Sequence, residues 1–197
     1  MIRIGVTGRM ASGKSTVARR FQERGAIRID GDALGWETLR DPDVKRRIEG
    51  AFGSQVMDGA GEVDRERLGR VVFPDAAAME RLNAIVQPAL LERVRARLGV
   101  EGDGVLVLDA ALIATWGLEA ELDGVVEVLA PEPIRVRRLM RARGMTEAAA
   151  RERIAGQRLP ELGRARRHWR IQNDGDPAAL TRRADRVWEE IARFGRA

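Results

Sequence analysis

The sequence predicts an α/β protein with a helical insertion, and three observations carry this prediction. Short apolar runs alternate with segments of helical periodicity, which is the pattern of parallel strands joined by helices. The first run, residues 2–6, leads directly into a glycine-rich loop. Residues 41–98, between the second and third runs, show helical patterns only. At 197 residues the chain suits a single domain, with about residues 40–98 forming a subdomain within it.

The glycine-rich loop at residues 8–15, GRMASGKS, fits the phosphate-binding pattern G-x-x-x-x-G-K-[ST]. Glycines let backbone N–H groups approach a polyphosphate closely, and the helix that begins near Gly13 directs its positive dipole end at the anion. Lys14 is expected to reach the β and γ phosphates, and Ser15 to coordinate Mg²⁺. The chain has only one other lysine, Lys45, so a lysine here is informative. The alternative is a surface turn with a chance lysine, but the flanking strand and helix patterns favour the phosphate loop.

Two aspartates follow the second predicted strand, residues 26–29. Ligands of open α/β sheets gather at the carboxyl ends of the strands, so Asp30 and Asp32 are expected beside the phosphate loop. A carboxylate there can accept the proton of an attacking hydroxyl group. We assign this role to Asp32 and a supporting role to Asp30. The alternative is that one of them only caps the helix that starts at Ala33.

The helical insertion carries clear start and stop signals. Asp41 and Asp64 are N-cap candidates, Gly50 and Gly53 interrupt the pattern, and residues 76–98 form one or two helices. Enzymes that phosphorylate small molecules often hold the acceptor in such an insertion. The pattern alone, however, predicts only helices here.

Residues 104–109 form a continuous apolar run that ends in Asp109. Such a run suits a strand buried on both faces of a parallel sheet, and its terminal carboxylate could hold Mg²⁺ directly or through water. Further strands are predicted at residues 125–129 and 169–172, and a last helix at about residues 176–193.

The densest positive charge lies on two predicted helices, one ending near Gly144 and one starting at Thr146. Most of these arginines are expected on a solvated face, with pairs such as Glu147 and Arg151 at i,i+4 spacing. One or two that turn inward would suit a lid that closes over phosphates and excludes water.

The composition excludes several classes of protein. No apolar run reaches the length of a membrane span and a strand pattern starts at residue 2, so we expect a cytoplasmic protein without a membrane partner. Without cysteine there is no thiol nucleophile, and the single histidine, His168, is expected to be structural or exposed.

The four tryptophans are predicted to pack in the core or at its edge, with the alternative that Trp36 touches an acceptor ring. The formal net charge of +5 suits a phosphorylated substrate, because the charges are interspersed and no aromatic-rich basic platform for nucleic acid is evident.

The ordered set of motifs resembles the dephospho-CoA kinase family over nearly the whole chain. The residues that carry the resemblance are 4–8, 11–16, 29–32, 64–65, Leu68, 72–73, 82–83, Ile85, 138–139, 153–154, Gln157, Asn173 and Gly175. The phosphate loop alone is typical of a superfamily, whereas the ordered set is much more specific.

The resemblance implies ATP-dependent phosphorylation of the ribose 3′-hydroxyl of dephospho-CoA, which gives CoA and ADP in the last step of coenzyme A synthesis. It also implies a three-layer P-loop kinase fold like that of nucleoside monophosphate kinases. Such a fold has a five-stranded parallel sheet, a helical CoA-binding insertion and a lid at about residues 132–160. ATP with Mg²⁺ and dephospho-CoA are the expected ligands, without nucleic acid.

Site residues follow by position. The ATP site would comprise Gly8, Ala11, Ser12, Gly13, Lys14, Ser15, Thr16 and Asn173, the last near the adenine. The lid would contribute Arg138, Arg141, Arg143 and Gln157, and the acceptor side Asp32 and Arg65. Catalysis is assigned to Asp32, Lys14 and Arg141, and metal binding to Ser15 and Asp109.

Several positions depart from the family pattern. Gln87 stands where a histidine is usual, residues 111–115 replace a Pro-Leu-Leu-Phe-Glu stretch, and Ala142 replaces a lid arginine. Arg141 or Arg143 could supply the missing lid charge. Another acceptor, such as a nucleoside monophosphate or a sugar acid, therefore stays open. A different class of protein, a nucleotide-binding regulator associated with nucleic acid, also remains an alternative.

Overall fold

The chain forms two compact units. The first, here called the sheet unit, comprises Met1–Asp30 and the chain from Val100 onward, and the second, the helical unit, comprises Gly31–Gly99. The structure is a computed structural model that describes residues 1–194. Within those residues no helix is both long and apolar enough to cross a bilayer.

Five strands and eight α-helices are present in residues 1–194. The strands are β1 Ile2–Thr7, β2 Ile27–Asp30, β3 Val105–Asp109, β4 Gly124–Leu129 and β5 His168–Gln172. The helices are α1 Lys14–Glu23, α2 Gly31–Thr38, α3 Pro42–Phe52, α4 Arg65–Val72, α5 Ala76–Leu98, α6 Glu132–Arg143, α7 Glu147–Ala155 and α8 Pro177–Phe194.

The five strands form one parallel sheet in the order β2-β3-β1-β4-β5, which confirms the predicted α/β class. β3 is buried along its whole length, as its continuous apolar sequence predicts. In the register of the sheet, Asp109 lies opposite Asp30 on one side and Val6 on the other. The phosphate loop follows the central strand, so the end of β3 lies beside it.

Helices α1 and α8 cover one face of the sheet. Phe21 and Trp188 pack with their ring centroids 5.5 Å apart, over strand residues such as Val107 and Val126. Arg20 of α1 donates from Nε and Nη2 to the carboxylate of Asp185 at 2.8 and 2.9 Å, which ties the two helices together. This core anchors the helix that begins at the phosphate loop.

Helices α6 and α7 form a small apolar cluster with the phosphate loop itself. Leu139, Ala150 and Ile154 are buried, and Met10 and Ala11 of the loop pack against them. The segment predicted as a lid therefore contacts the outer side of the loop in this structure.

The helical unit confirms most of the predicted boundaries. Asp41 and Asp64 accept hydrogen bonds from the backbone N–H groups at the starts of α3 and α4, as N-caps do. The predicted interruption at Gly50 is wrong, because Gly50 lies inside α3. A glycine in a helix costs about 1 kcal/mol relative to alanine, and the burial of residues such as Val44 and Ile48 outweighs that cost. α5 is a single helix with Pro88 inside it.

Candidate active site

The backbone of the phosphate loop is held in a conformation that few residues adopt. Gly13 has φ 99°, and a Cβ there would collide with the side-chain amide of Asn173. Ala11, at φ 60°, is the one non-glycine residue with positive φ among residues 1–194. No side chain caps the N-terminus of α1, so its first N–H groups face the loop as donors for an anion.

Asp109 brings together the polar side chains at the start of α1. Lys14 Nζ donates to Asp109 Oδ1 at 3.0 Å, and Ser15 Oγ lies 3.4 Å from the same oxygen. Lys14 Nζ also donates to Ser15 Oγ at 3.3 Å. Asp109 is only 1% exposed, so this carboxylate depends on cationic partners for its charge. The predicted strand-end aspartate, lysine and serine are thus in direct contact.

Arg28, on the neighbouring strand β2, also binds Asp109, and this contact is not among the sequence predictions. Its Nη2 and Nε donate to Oδ2 at 2.6 and 3.2 Å, and Nη2 also donates to Asp30 Oδ2 at 2.7 Å. Burial lowers the pKa of Arg28, but the hydrogen bond to Asp109 and the charges of Asp109 and Asp30 outweigh it, so the pKa is raised. The period-two spacing of Arg28 and Asp30 on a strand was the available signal.

Ser15 and Asp109 fit a Mg²⁺ site. Mg²⁺ prefers hard oxygen ligands and usually keeps several waters, so one or two protein oxygens together with the phosphates suffice. The Ser15 hydroxyl oxygen and Asp109 Oδ1 are such oxygens, and they lie 3.4 Å apart. No group of three or more histidine, cysteine, aspartate or glutamate side chains that could hold a metal ion exists within residues 1–194.

Arg138 and Asn173 hold the outer side of the phosphate loop. Arg138 Nη1 donates to the carbonyl oxygens of Ala11 and Ser12 at 3.0 and 3.1 Å, and Nη2 donates to Asn173 Oδ1 at 2.8 Å. Asn173 Nδ2 donates to Ser12 O at 2.7 Å, and the residue is 2% exposed. Burial lowers the pKa of Arg138. The side chain of Asn173 thus supports the loop, and its contact with adenine stays a prediction.

The remaining lid residues divide into inward and outward groups. Gln157 Oε1 accepts from the N–H of Met10 in the loop at 2.6 Å. Arg141 and Arg143 are exposed on α6. Arg135 is one of the arginines on α6 that turn inward: it is 5% exposed, and its Nη1 has no hydrogen-bond partner within the part of the chain that the structure describes. Charge density in the sequence could not separate these cases, because orientation depends on how α6 packs.

The acceptor candidates lie in the helical unit. Asp32 is exposed in the first turn of α2, which begins at Gly31, so the predicted helix start at Ala33 is wrong and Asp32 is not an N-cap. Arg65 places its guanidinium 3.9 Å from the ring centroid of Trp36. Trp36 is 44% exposed, which corrects its placement in the core. Asp32 and Trp36 are four residues apart, so they lie on the same face of α2.

Comparisons with known proteins place the chain in a family. The family model described as Dephospho-CoA kinase matches residues 2–178. The chain belongs to the dephospho-CoA kinase family. A dephospho-CoA kinase of Thermobifida fusca is 38% identical over 195 residues, which cover 98% of each chain.

Solved structures agree with this fold. The crystal structure of TT1252 from Thermus thermophilus superposes with a TM-score of 0.78 at 31% identity, covering 96% of this chain and 97% of that one. A dephospho-CoA kinase from Campylobacter jejuni has a TM-score of 0.63 at 19% identity, covering 96% of each chain, and supports the fold alone. Because the chain belongs to the dephospho-CoA kinase family, the protein is a kinase.

One departure from the family pattern lies beside the phosphate loop of this dephospho-CoA kinase family member. Ala111, the first residue of the altered stretch, accepts a hydrogen bond from Thr7 Oγ1 at 3.1 Å. Ala111 and Thr115 line a cavity of about 350 Å³ together with Arg9 and residues 159–163. The altered stretch therefore contacts the region where the loop begins, next to a cavity large enough for part of a small molecule.

His168 is exposed, which is one of the two environments predicted for it. Its Nε2 lies 3.1 Å from Glu127 Oε2, and Arg170 Nε lies 3.4 Å from the same oxygen. These contacts tie the edge strand β5 to β4.

Proposed function

We propose that this protein transfers the γ-phosphoryl group of ATP to the ribose 3′-hydroxyl of dephospho-CoA, giving CoA and ADP. The observation that carries the proposal is the contact of Lys14, Ser15 and Asp109 at the start of α1, in a chain of the dephospho-CoA kinase family. The ammonium group of Lys14 can bind the phosphates, and the hydroxyl and carboxylate oxygens of Ser15 and Asp109 could hold a Mg²⁺ ion that accompanies them.

The donor side of the reaction would use the phosphate loop. The uncapped N–H groups of α1 and the loop amides bind the phosphates, since they are oriented before the ligand arrives. Lys14 leaves Asp109 and reaches the β and γ phosphates, where its charge stabilises the transferring group. Because these donors are fixed by the fold, little reorganisation is required during transfer.

Mg²⁺ is part of the proposal. Ser15 would hold it through Oγ, and Asp109 directly or through water. When bound, the metal would neutralise negative charge on the phosphates.

The acceptor side would use Asp32 and Arg65. Asp32 would orient the acceptor hydroxyl and take its proton, and the residue is exposed in the first turn of α2. Arg65, stacked on Trp36, offers a cation and an aromatic surface one helical turn from Asp32. A phosphorylated nucleotide acceptor such as dephospho-CoA suits both groups.

The proposed lid is about residues 132–160. Arg138 and Gln157 form hydrogen bonds to the phosphate loop, and these bonds attach the segment to the loop. Arg141 and Arg143 are the exposed cations that would neutralise phosphate charge during transfer and replace the lid arginine absent at Ala142.

The test is ADP formation from ATP, Mg²⁺ and dephospho-CoA, with the product identified as CoA phosphorylated at the 3′ position. Lys14→Ala is the control for contaminating kinases. We expect acceptor-dependent ADP release by the wild type and its loss in the control. Wild-type ADP release at the level of the Lys14→Ala control would contradict the proposal.

A panel of acceptors separates the alternatives. Turnover of nucleoside monophosphates or sugar acids in preference to dephospho-CoA would assign the protein to another small-molecule kinase. RNA or DNA binding that falls steeply with salt, without phosphorylation of any acceptor, would instead indicate the nucleic-acid-associated regulator.

A further inference from the structure

Arg28 holds the carboxylate that faces the phosphate loop. Its guanidinium donates twice to Asp109 Oδ2, at 2.6 and 3.2 Å, and reaches Asp30 Oδ2 at 2.7 Å. The side chain of Arg28 is 18% exposed and that of Asp109 is 1% exposed. The three residues lie on one face of neighbouring strands, because Asp30 is opposite Asp109 in the register and Arg28 precedes Asp30 by two positions.

Asp109 therefore has two cations on two different oxygens. Lys14 binds Oδ1, and Arg28 binds Oδ2. A buried carboxylate that loses its counter-ion is strongly destabilised. If Lys14 were its one cationic partner, the movement of Lys14 to a phosphate would leave Asp109 uncompensated, and nucleotide binding would bear that cost.

We propose that Arg28 is a positioning residue that releases Lys14 to the nucleotide. Arg28 stays on Oδ2 as the permanent counter-ion of Asp109, so Lys14 can leave Oδ1 for the phosphates while Oδ1 remains directed at Ser15. The inference rests on the proposed function only in requiring that Lys14 binds phosphate, and it does not depend on which acceptor is used.

A purely structural ion pair would behave differently. The chain offers a matched pair of that kind in Arg20 and Asp185, which bond through two nitrogens at 2.8 and 2.9 Å and link α1 to α8. Replacing Arg20 should lower the melting temperature without changing nucleotide affinity. The effect of Arg28 on nucleotide affinity separates the two roles.

The experiment measures ADP affinity by calorimetry for the wild type, Arg28→Met, Arg28→Lys and Arg20→Met, each with EDTA and with Mg²⁺. Arg28→Met should weaken metal-free ADP binding by about tenfold or more. Losses of this size are typical when a residue is removed that orients a ligand-binding side chain without touching the ligand itself. The loss should be smaller with Mg²⁺, because the cation can replace Lys14 beside Asp109. Arg28→Lys should recover part of the affinity, and Arg20→Met should bind ADP like the wild type.

A double-mutant cycle with Lys14→Ala completes the test. If Arg28 acts by releasing Lys14, replacing Arg28 should have little further effect on ADP affinity once Lys14 is absent. The inference is overturned if Arg28→Met binds ADP like Arg20→Met, or if the loss is the same with and without Lys14. If Arg28→Met does not fold, Arg28→Lys with the same cycle decides. ADP binding requires no acceptor, so a failure to phosphorylate dephospho-CoA would contradict the proposed function and leave this result standing.

Discussion

The residues around the phosphate loop are buried and bonded to one another, whereas the candidate acceptor residues are exposed on helices. Asp109 and Asn173 are 1% and 2% exposed, and each bonds to several partners. Asp32 and Trp36 are exposed on α2. A buried network fixes geometry before the ligand arrives, so one change there affects several groups. Exposed side chains can be replaced singly, so we expect changes on the acceptor side to alter one kinetic parameter at a time.

The largest expected effect comes from an exposed residue. Asp32→Asn should lower kcat by about 10²–10⁴, because the acceptor hydroxyl loses its base. The affinity for ATP should not change, because the phosphates are expected to bind to the loop amides and Lys14. Steady-state kinetics with varied ATP, together with calorimetric ADP binding, measure both quantities.

Lys14→Ala is the matched control in the donor site. It should reduce both kcat and nucleotide affinity. If Asp32→Asn turned over substrate like the wild type, Asp32 would not be the base. If it lost ADP affinity like Lys14→Ala, the separation of donor and acceptor residues would be wrong.

The second effect tests the buried network. Asn173→Ala removes the amide that supports the loop, leaves Arg138 Nη2 without its acceptor, and leaves Ser12 O with one donor, Arg138 Nη1, instead of two. An unpaired buried polar group costs about 1–3 kcal/mol, so the free energy of unfolding should fall by that amount. Catalysis should also fall, by about a hundredfold in kcat/KM for ATP, because a small shift of the loop misplaces the phosphates.

Denaturant unfolding and ATP kinetics of the same variant test this prediction. The control is Arg183→Ala on α8, which removes an exposed ion pair with Asp174. That variant should change neither quantity much, since surface pairs contribute little. Loss of stability in Asn173→Ala with unchanged ATP kinetics would show that the network supports the fold alone.

The sequence predicted the parts of this site that depend on local signals. Lys14 and Ser15 belong to a contiguous motif, and Asp109 ends an apolar strand, so their convergence follows from the rule that ligands gather at strand ends. The contact of Arg28 with Asp109 could not be predicted in this way. It requires β2 to lie beside β3, and the order of strands in the sheet differs from their order in the chain.

Packing decided the other differences from the sequence predictions. Arg135 is buried while Arg141, on the same helix, is exposed, because only one side of α6 faces α7 and the loop. Trp36 is a large aromatic residue that would ordinarily be assigned to the core, yet it lies on the exposed face of α2 under Arg65. Residue type alone does not distinguish these environments.

The third effect concerns that exposed aromatic residue. Trp36→Ala should raise the KM for dephospho-CoA by about tenfold, because stacking on an aromatic ring contributes about 1–3 kcal/mol per base. kcat and the KM for ATP should stay close to wild type. Trp36→Phe should restore most of the acceptor affinity, since it keeps an aromatic face.

Arg70→Ala is a suitable control for the neighbouring Arg65. Arg70 lies on the same helix and pairs with Glu66, away from any ring contact. Arg65→Ala should raise the acceptor KM and Arg70→Ala should not. An unchanged acceptor KM in both Trp36→Ala and Arg65→Ala would remove this pair from the acceptor site.

The smallest effect concerns a helix cap in the helical unit and its dependence on pH. Asp64 accepts hydrogen bonds from the N–H groups of Arg67 and Glu66, and these bonds lower the pKa of its carboxyl group. The folded state therefore binds the proton less readily than the unfolded chain. The stabilisation is present above the unfolded pKa of about 3.9 and is lost as the pH falls through the lower folded value.

Asp64→Ala should lower the melting temperature at pH 7 by a few degrees at most, and the difference from the wild type should narrow towards pH 3. ADP affinity at pH 7 should stay unchanged, because this cap lies outside the network around the phosphate loop. A difference in melting temperature that widened on acidification would contradict the role of the ionised carboxylate. A loss of ADP affinity would show that the helical unit influences nucleotide binding.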